Sequence, residues 1–161
     1  MHAQAERRAA CCELISDVAR RAGQVRLKLN GTSMLPAMWP GDIVTVERCE
    51  LADLRPGHIV LFTAATGLVA HRVVRAFPDR LITRGDSVPH CDPPVPSSAI
   101  IGYVADIVRN HRSIPIETTW PQRALSAILR HSHLCLRLTL RLASRRNAPS
   151  PLRHSASSEL I

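Results

Sequence analysis

Ser33 stands in the stretch whose residue types best suit nucleophilic chemistry, Asn30-Gly31-Thr32-Ser33-Met34-Leu35-Pro36-Ala37-Met38-Trp39-Pro40-Gly41-Asp42-Ile43-Val44-Thr45-Val46. Small residues place the hydroxyl in a turn, Pro36 fixes the chain direction, and Gly41-Asp42 leads into a hydrophobic run. A tight turn at a strand end can expose a hydroxyl and aim its own backbone amide at a developing oxyanion. A serine hydroxyl is a poor nucleophile until a base takes its proton. Of the 21 basic residues, 20 are Arg and one is Lys28. Arginine stays protonated, with a pKa above about 12. Lys28 precedes Ser33 by five residues, and an extended strand would hold it about 16 Å away. Histidine remains, with a reference pKa of about 6.5 and general-base character near neutrality. Of the eight histidines, His2 and His154 lie near the termini and His111, His131 and His133 outside the β-rich middle. His58, His71 and His90 lie inside it.

Three further runs follow in order. Gly57-His58-Ile59-Val60-Leu61-Phe62 leads to Ala70-His71-Arg72-Val73-Val74; then come Thr83-Arg84-Gly85-Asp86, with Asp92 six residues on, and Gly102-Tyr103-Val104. Together with the Ser33 segment these resemble the boxes of the signal peptidase I family, over about residues 25–109. The resemblance implies a serine endopeptidase with Ser33 as nucleophile, its backbone amide in the oxyanion hole. His71 is implied as general base, because it stands where the endoplasmic-reticulum-type and archaeal branch carries histidine in place of lysine. Asp86 and Asp92 are the implied candidates for the carboxylate that orients it, Asp92 first by its place after the Gly-Asp pair. Many family members have a serine two residues before the nucleophile, whose hydroxyl helps the oxyanion hole; here that residue is Gly31. Thr32, Asn30 or a water is left as second donor. Met34 and Pro36, with Leu35, Met38 and Trp39, shape either a substrate groove or the core. The chemistry calls for no metal or organic cofactor. His90-Cys91-Asp92 is a single short cluster without a spaced partner and makes no metal site.

The elements that must position these residues are mainly β. Ala9, Cys12, Leu14, Ile15, Val18 and Ala19 recur at helical spacing over 4–22, and Gly23 is a stop signal. Val25 to Leu29 alternates like a half-buried strand. Ile43–Glu47, His58–Phe62, Leu68–Arg75, Arg80–Thr83 and Ile100–Arg109 each follow turn signals and read as short strands. The proline-rich loop from Gly85 to Ser98 has a length that marks function or disorder. Over 121–146, Arg123, Arg130, Arg137, Arg141 and Arg145 share one helical face and leucines populate the other. The expected organisation is an N-terminal helix (1–24), a signal-peptidase-like antiparallel β core (25–110), a linker and basic amphipathic helix (111–146) and a disordered tail (147–161). That last helix suits an anionic membrane surface, or packs on the β core with a solvated Arg face.

Composition narrows the partners. The chain has 161 residues, 45% hydrophobic but only 3% aromatic, so its core is aliphatic. The net charge of +8 invites a nucleic-acid reading. The charge gathers near the two ends, however, and too few aromatic residues remain for base stacking, so a peptide or protein substrate is expected and nucleic acid is not. Five cysteines, an odd number without metal-ligand spacing, read as reduced thiols of a cytosolic protein. No apolar run is long enough for a signal peptide or a spanning helix. The expected place of action is therefore the cytoplasm or its inner membrane surface, on a precursor or leader peptide. Two other readings stay open: a self-cleaving, repressor-type peptidase, and a catalytically degenerate peptide-binding module, which the glycine at position 31 would suit.

Overall fold

Apolar residues at helical spacing and a glycine stop set the first element, helix α1 (His2–Ala22). Gly23, at φ +74°, supplies the left-handed residue that ends it. The helix lays Ala19 and Ile15 against the sheet and leaves Leu14 and Val18 exposed. The structure, a computed structural model, describes residues 2–116. The amphipathic helix and tail expected beyond 120, with His131, His133, Cys135 and His154, lie outside the described residues.

The rest is one antiparallel sheet of eight strands: β1 (Gln24–Lys28), β2 (Ile43–Glu47), β3 (Ile59–Ala64), β4 (Gly67–Ala76), β5 (Arg80–Arg84), β6 (Val95–Pro96), β7 (Ile100–Arg109) and β8 (Arg112–Ser113). Their order is β1-β2-β7-β3-β4-β5-β6, with β8 paired to β7. The mainly β class read from the sequence is therefore present, with the helix at its N-terminal end.

Strand β3 explains where the cores sit. Successive strand side chains point to opposite faces. Ile59 and Leu61 enter one cluster with Met34, Met38, Val44, Val46, Ile101, Val104 and Ile107. Val60 and Phe62 enter a second, with Leu54, Val73, Leu81 and Val95. An unbroken apolar run is what a strand covered on both faces requires. Each such side chain contributes about 1.5–3 kcal/mol by burial.

Two short strands escaped the sequence reading. Asn110 and His111 have φ of 51° and 63°, and the pairing Arg109↔Arg112 closes a two-residue hairpin around them where a linker was expected. Left-handed φ at both central positions is the hairpin geometry usually signalled by Asn-Gly, and Asn-His carries that signal weakly. The proline-rich loop also returns to the sheet. Val95 pairs with Leu81 and Pro96 with Arg80, at an outer edge where a proline costs no ladder hydrogen bond.

A buried ion pair locks the end of the Ser33 segment to β7. Asp42, 2% exposed, accepts from Arg109 Nε at 2.8 Å and Nη2 at 2.7 Å, and from the Trp39 N–H at 2.8 Å. Among the described residues no helix is long and apolar enough to cross a membrane.

Candidate active site

The turn after β1 is folded by its own apolar residues. The Leu35 N–H donates to the Thr32 carbonyl at 3.2 Å and the Met38 N–H to the Met34 carbonyl at 3.0 Å. Met34, Leu35 and Met38 are each 3% exposed or less and anchor the turn. Pro36 is buried beside them. Met34 and Pro36, expected at the groove or the core, are thus packed inside, because the apolar residues after Ser33 are the ones that fold the turn down. Thr32 contributes a carbonyl acceptor, not its hydroxyl, to the hydrogen bonds here.

This packing leaves Ser33 at the mouth of the turn, facing β4. Its Oγ lies 2.9 Å from His71 Nε2, and His71 Nδ1 lies 2.6 Å from Asp92 Oδ2. An ionised carboxylate only accepts, so Nδ1 carries the hydrogen and Nε2 is left to accept the Ser33 proton. His71 is 7% exposed and sits edge-on to Phe62, with ring centroids 6.2 Å apart. Neither other histidine of the middle region joins this line. His58 Nδ1 accepts from the Arg55 N–H at 3.4 Å and its ring lies near Tyr103; His90 is exposed. Lys28 is exposed on β1.

The two candidate carboxylates part company for a reason built into the strand. His71 and Arg72 are neighbours on β4, so their side chains leave opposite faces. Asp92 meets the histidine. Asp86 meets the arginine, accepting from Nε at 2.9 Å and Nη2 at 2.7 Å, while Arg72 Nη1 donates to the Gly57 carbonyl at 2.8 Å. Asp86 therefore braces β4 and makes no hydrogen bond to His71.

Three contributors lie outside the candidate site residues read from the sequence. Thr83 Oγ1 donates to Asp92 Oδ2 at 2.6 Å. Gly85 lies so close to Ser33 that a Cβ there would stand 2.7 Å from the Ser33 carbonyl oxygen and 3.0 Å from its Cβ; only glycine permits that approach. Ser87 donates its N–H to the Ser33 carbonyl at 2.9 Å, and its hydroxyl faces the Ser33 and Thr32 carbonyls at 2.9 and 3.0 Å. The Gly-Asp pair was a signal for Gly85. Ser87 gave none, since its partner lies 54 positions away.

Two groups off this line have displaced ionisation. Burial pushes the Cys49 thiol up to about 11, helped by the Asp53 and Glu50 carboxylates. Tyr103 is raised because its hydroxyl donates to Glu47 at 2.9 Å. Among the described residues no group of three or more His, Cys, Asp or Glu is placed to hold a metal ion. A serine, a histidine and an aspartate in this line can transfer an acyl group through a covalent serine intermediate. No protein-family model matches the chain, and no curated protein matches it.

Proposed function

We propose that the chain is a serine endopeptidase of the signal peptidase I kind, cutting a precursor or leader peptide through an acyl-enzyme on Ser33. The observation that carries this reading is the line Ser33 Oγ–His71 Nε2–His71 Nδ1–Asp92 Oδ2, with spacings of 2.9 and 2.6 Å. The order of the motifs that form it, and the antiparallel sheet that presents them, support it further.

In this reading Ser33 Oγ bonds to the scissile carbonyl carbon as its proton passes to His71 Nε2. Asp92 stabilises the imidazolium through the Nδ1–H bond. The carbonyl electrons collect on an oxyanion facing the Ser33 N–H. That N–H donates to no acceptor among the described residues. The intermediate collapses, the C–N bond breaks, and His71 hands its proton to the leaving amine. Water, deprotonated by His71, then releases the acyl product and restores Ser33. Because only neutral imidazole accepts the proton, the rate falls toward acid.

The test is cleavage of a diverse peptide pool read by mass spectrometry, for wild type beside Ser33→Ala and His71→Ala, with fluorophosphonate labelling of Ser33 in parallel. Cuts and label confined to wild type are expected. Peptide binding that survives Ser33→Ala, with no cleavage or label in wild type, would make the chain a binding module and sink the proposal.

A further inference from the structure

The Ser87 side chain makes no hydrogen bond to His71 or Asp92, yet it is hydrogen-bonded to the nucleophile's backbone. Its hydroxyl has one hydrogen, shared between the Thr32 carbonyl at 3.0 Å and the Ser33 carbonyl at 2.9 Å, while its own N–H holds the Ser33 carbonyl at 2.9 Å. The carbonyl of Thr32 and the N–H of Ser33 belong to one planar peptide unit, trans because the only cis bond among the described residues is Leu35–Pro36. In a trans unit the two groups point in opposite directions. Fixing the Thr32 oxygen toward Ser87 therefore fixes the Ser33 N–H away from it, and that N–H has no acceptor among the described residues.

We infer that Ser87 is a positioning residue for the oxyanion hole. It acts through the planarity of the Thr32–Ser33 peptide to aim the Ser33 amide at the developing negative charge. The inference rests on the peptidase reading above. It gives a loop residue outside the Ser33–His71–Asp92 line control over the transition state. Its weight is increased by Gly31, which brings no hydroxyl, so that the amide's direction is not backed by a side-chain donor from that position. Gly85 works with it: the missing Cβ lets the loop come close enough for Ser87 to reach both carbonyls.

The experiment compares wild type, Ser87→Ala, Ser87→Cys and Ser87→Thr by hydrolysis of p-nitrophenyl acetate and by the second-order rate of Ser33 labelling with a fluorophosphonate, each across pH. Both reactions build charge on an oxygen facing the amide. Ser87→Ala is expected to slow both by about 10- to 100-fold, part of the loss known for a missing oxyanion donor. Its acid limb is expected to stay at the wild-type pH, because His71 and Asp92 are untouched. Ser87→Thr restores the rates, and Ser87→Cys, a weaker donor of similar shape, falls between and substitutes should the alanine variant not fold. Rates within about twofold of wild type for Ser87→Ala, an acid limb that moves, or no rescue by threonine would overturn the inference alone. Wild type that neither hydrolyses the ester nor labels at Ser33 overturns the peptidase reading and this inference with it.

Discussion

Thr83 holds Asp92 twice: its carbonyl accepts from the Asp92 N–H at 2.8 Å, and its hydroxyl donates to Oδ2 at 2.6 Å. Oδ2 is also the oxygen facing His71 Nδ1. Thr83 sits on β5 with 0% exposure, whereas Asp92 lies on a loop with its side chain 22% exposed. A loop carboxylate is thereby tied to the sheet that carries the histidine. Thr83→Val keeps the shape and removes the hydroxyl, so kcat is expected to fall about 10-fold with KM nearly unchanged. Stability should fall by about 1 kcal/mol. Thr83→Ser should restore kcat, and steady-state kinetics on the three proteins would settle the matter. An unchanged kcat in the valine variant would show that Asp92 needs no such tie.

Asp92 and Asp86 are expected to fail in different ways. Asp92→Asn leaves the fold in place but cannot hold the imidazole in the right tautomer, and kcat should drop by about 1,000- to 10,000-fold. Asp86→Asn strips a paired guanidinium of its charge partner in a site where the two side chains are only 17% and 10% exposed. Its cost should appear as about 2–3 kcal/mol of stability, with kcat within about 10-fold of wild type. Thermal melts beside kinetics separate the two, and a reversal of the pattern would move the orienting role to Asp86.

Local signals carried much of this arrangement. Gly23, Pro40-Gly41-Asp42 and Arg55-Pro56-Gly57 punctuate the chain where elements end or begin, and the strand limits fall close to those expected. Ile59–Phe62 read as a strand from its apolar run, but which face met which core depended on pairing with β4 and β7. The choice between Asp92 and Asp86 needed the pleat of β4, which sends His71 and Arg72 apart. Ser87 and Thr83 were silent, since a hydroxyl's partner is decided by tertiary contact rather than by neighbours in sequence. The β7–β8 hairpin was missed because Asn110 and His111 adopt left-handed φ without a glycine to announce it.

Cys49 gives the molecule an alkaline signature. Its thiol is held protonated up to about 11 against a reference of 9.0, first by burial and then by Asp53 and Glu50. Between those values the unfolded chain has lost the proton and the folded chain keeps it, so unfolding is favoured as pH rises. The contribution is fully present below pH 9.0 and is lost as pH climbs through about 11. Melting temperature across this window should decline less steeply for Cys49→Ser than for wild type. In iodoacetamide mapping at pH 8, Cys49 should alkylate far more slowly than the exposed Cys11 and Cys91. Equal alkylation of the three would contradict a thiol held protonated by its surroundings.

Gly31 offers a gain rather than a loss. No heavy atom lies within 4 Å of an ideal Cβ there, and its φ is outside the left-handed region, so a side chain enters without strain. Many members of the signal peptidase I family, the kind proposed for this chain, place a serine hydroxyl two residues before the nucleophile. Gly31→Ser would add that second donor to the oxyanion hole proposed at the Ser33 amide. Since one donor is worth about 100- to 1,000-fold in serine hydrolases, a rise in kcat of about 10-fold or more is expected. Gly31→Ala, with the same backbone restriction and no hydroxyl, should leave kcat near the wild-type value. Stability should move by no more than about 0.5 kcal/mol in either variant. Parallel kcat measurements on the two variants decide it: an equal effect of serine and alanine would mean that the hydroxyl does not reach the oxyanion and that this turn lies differently from the one the resemblance implies.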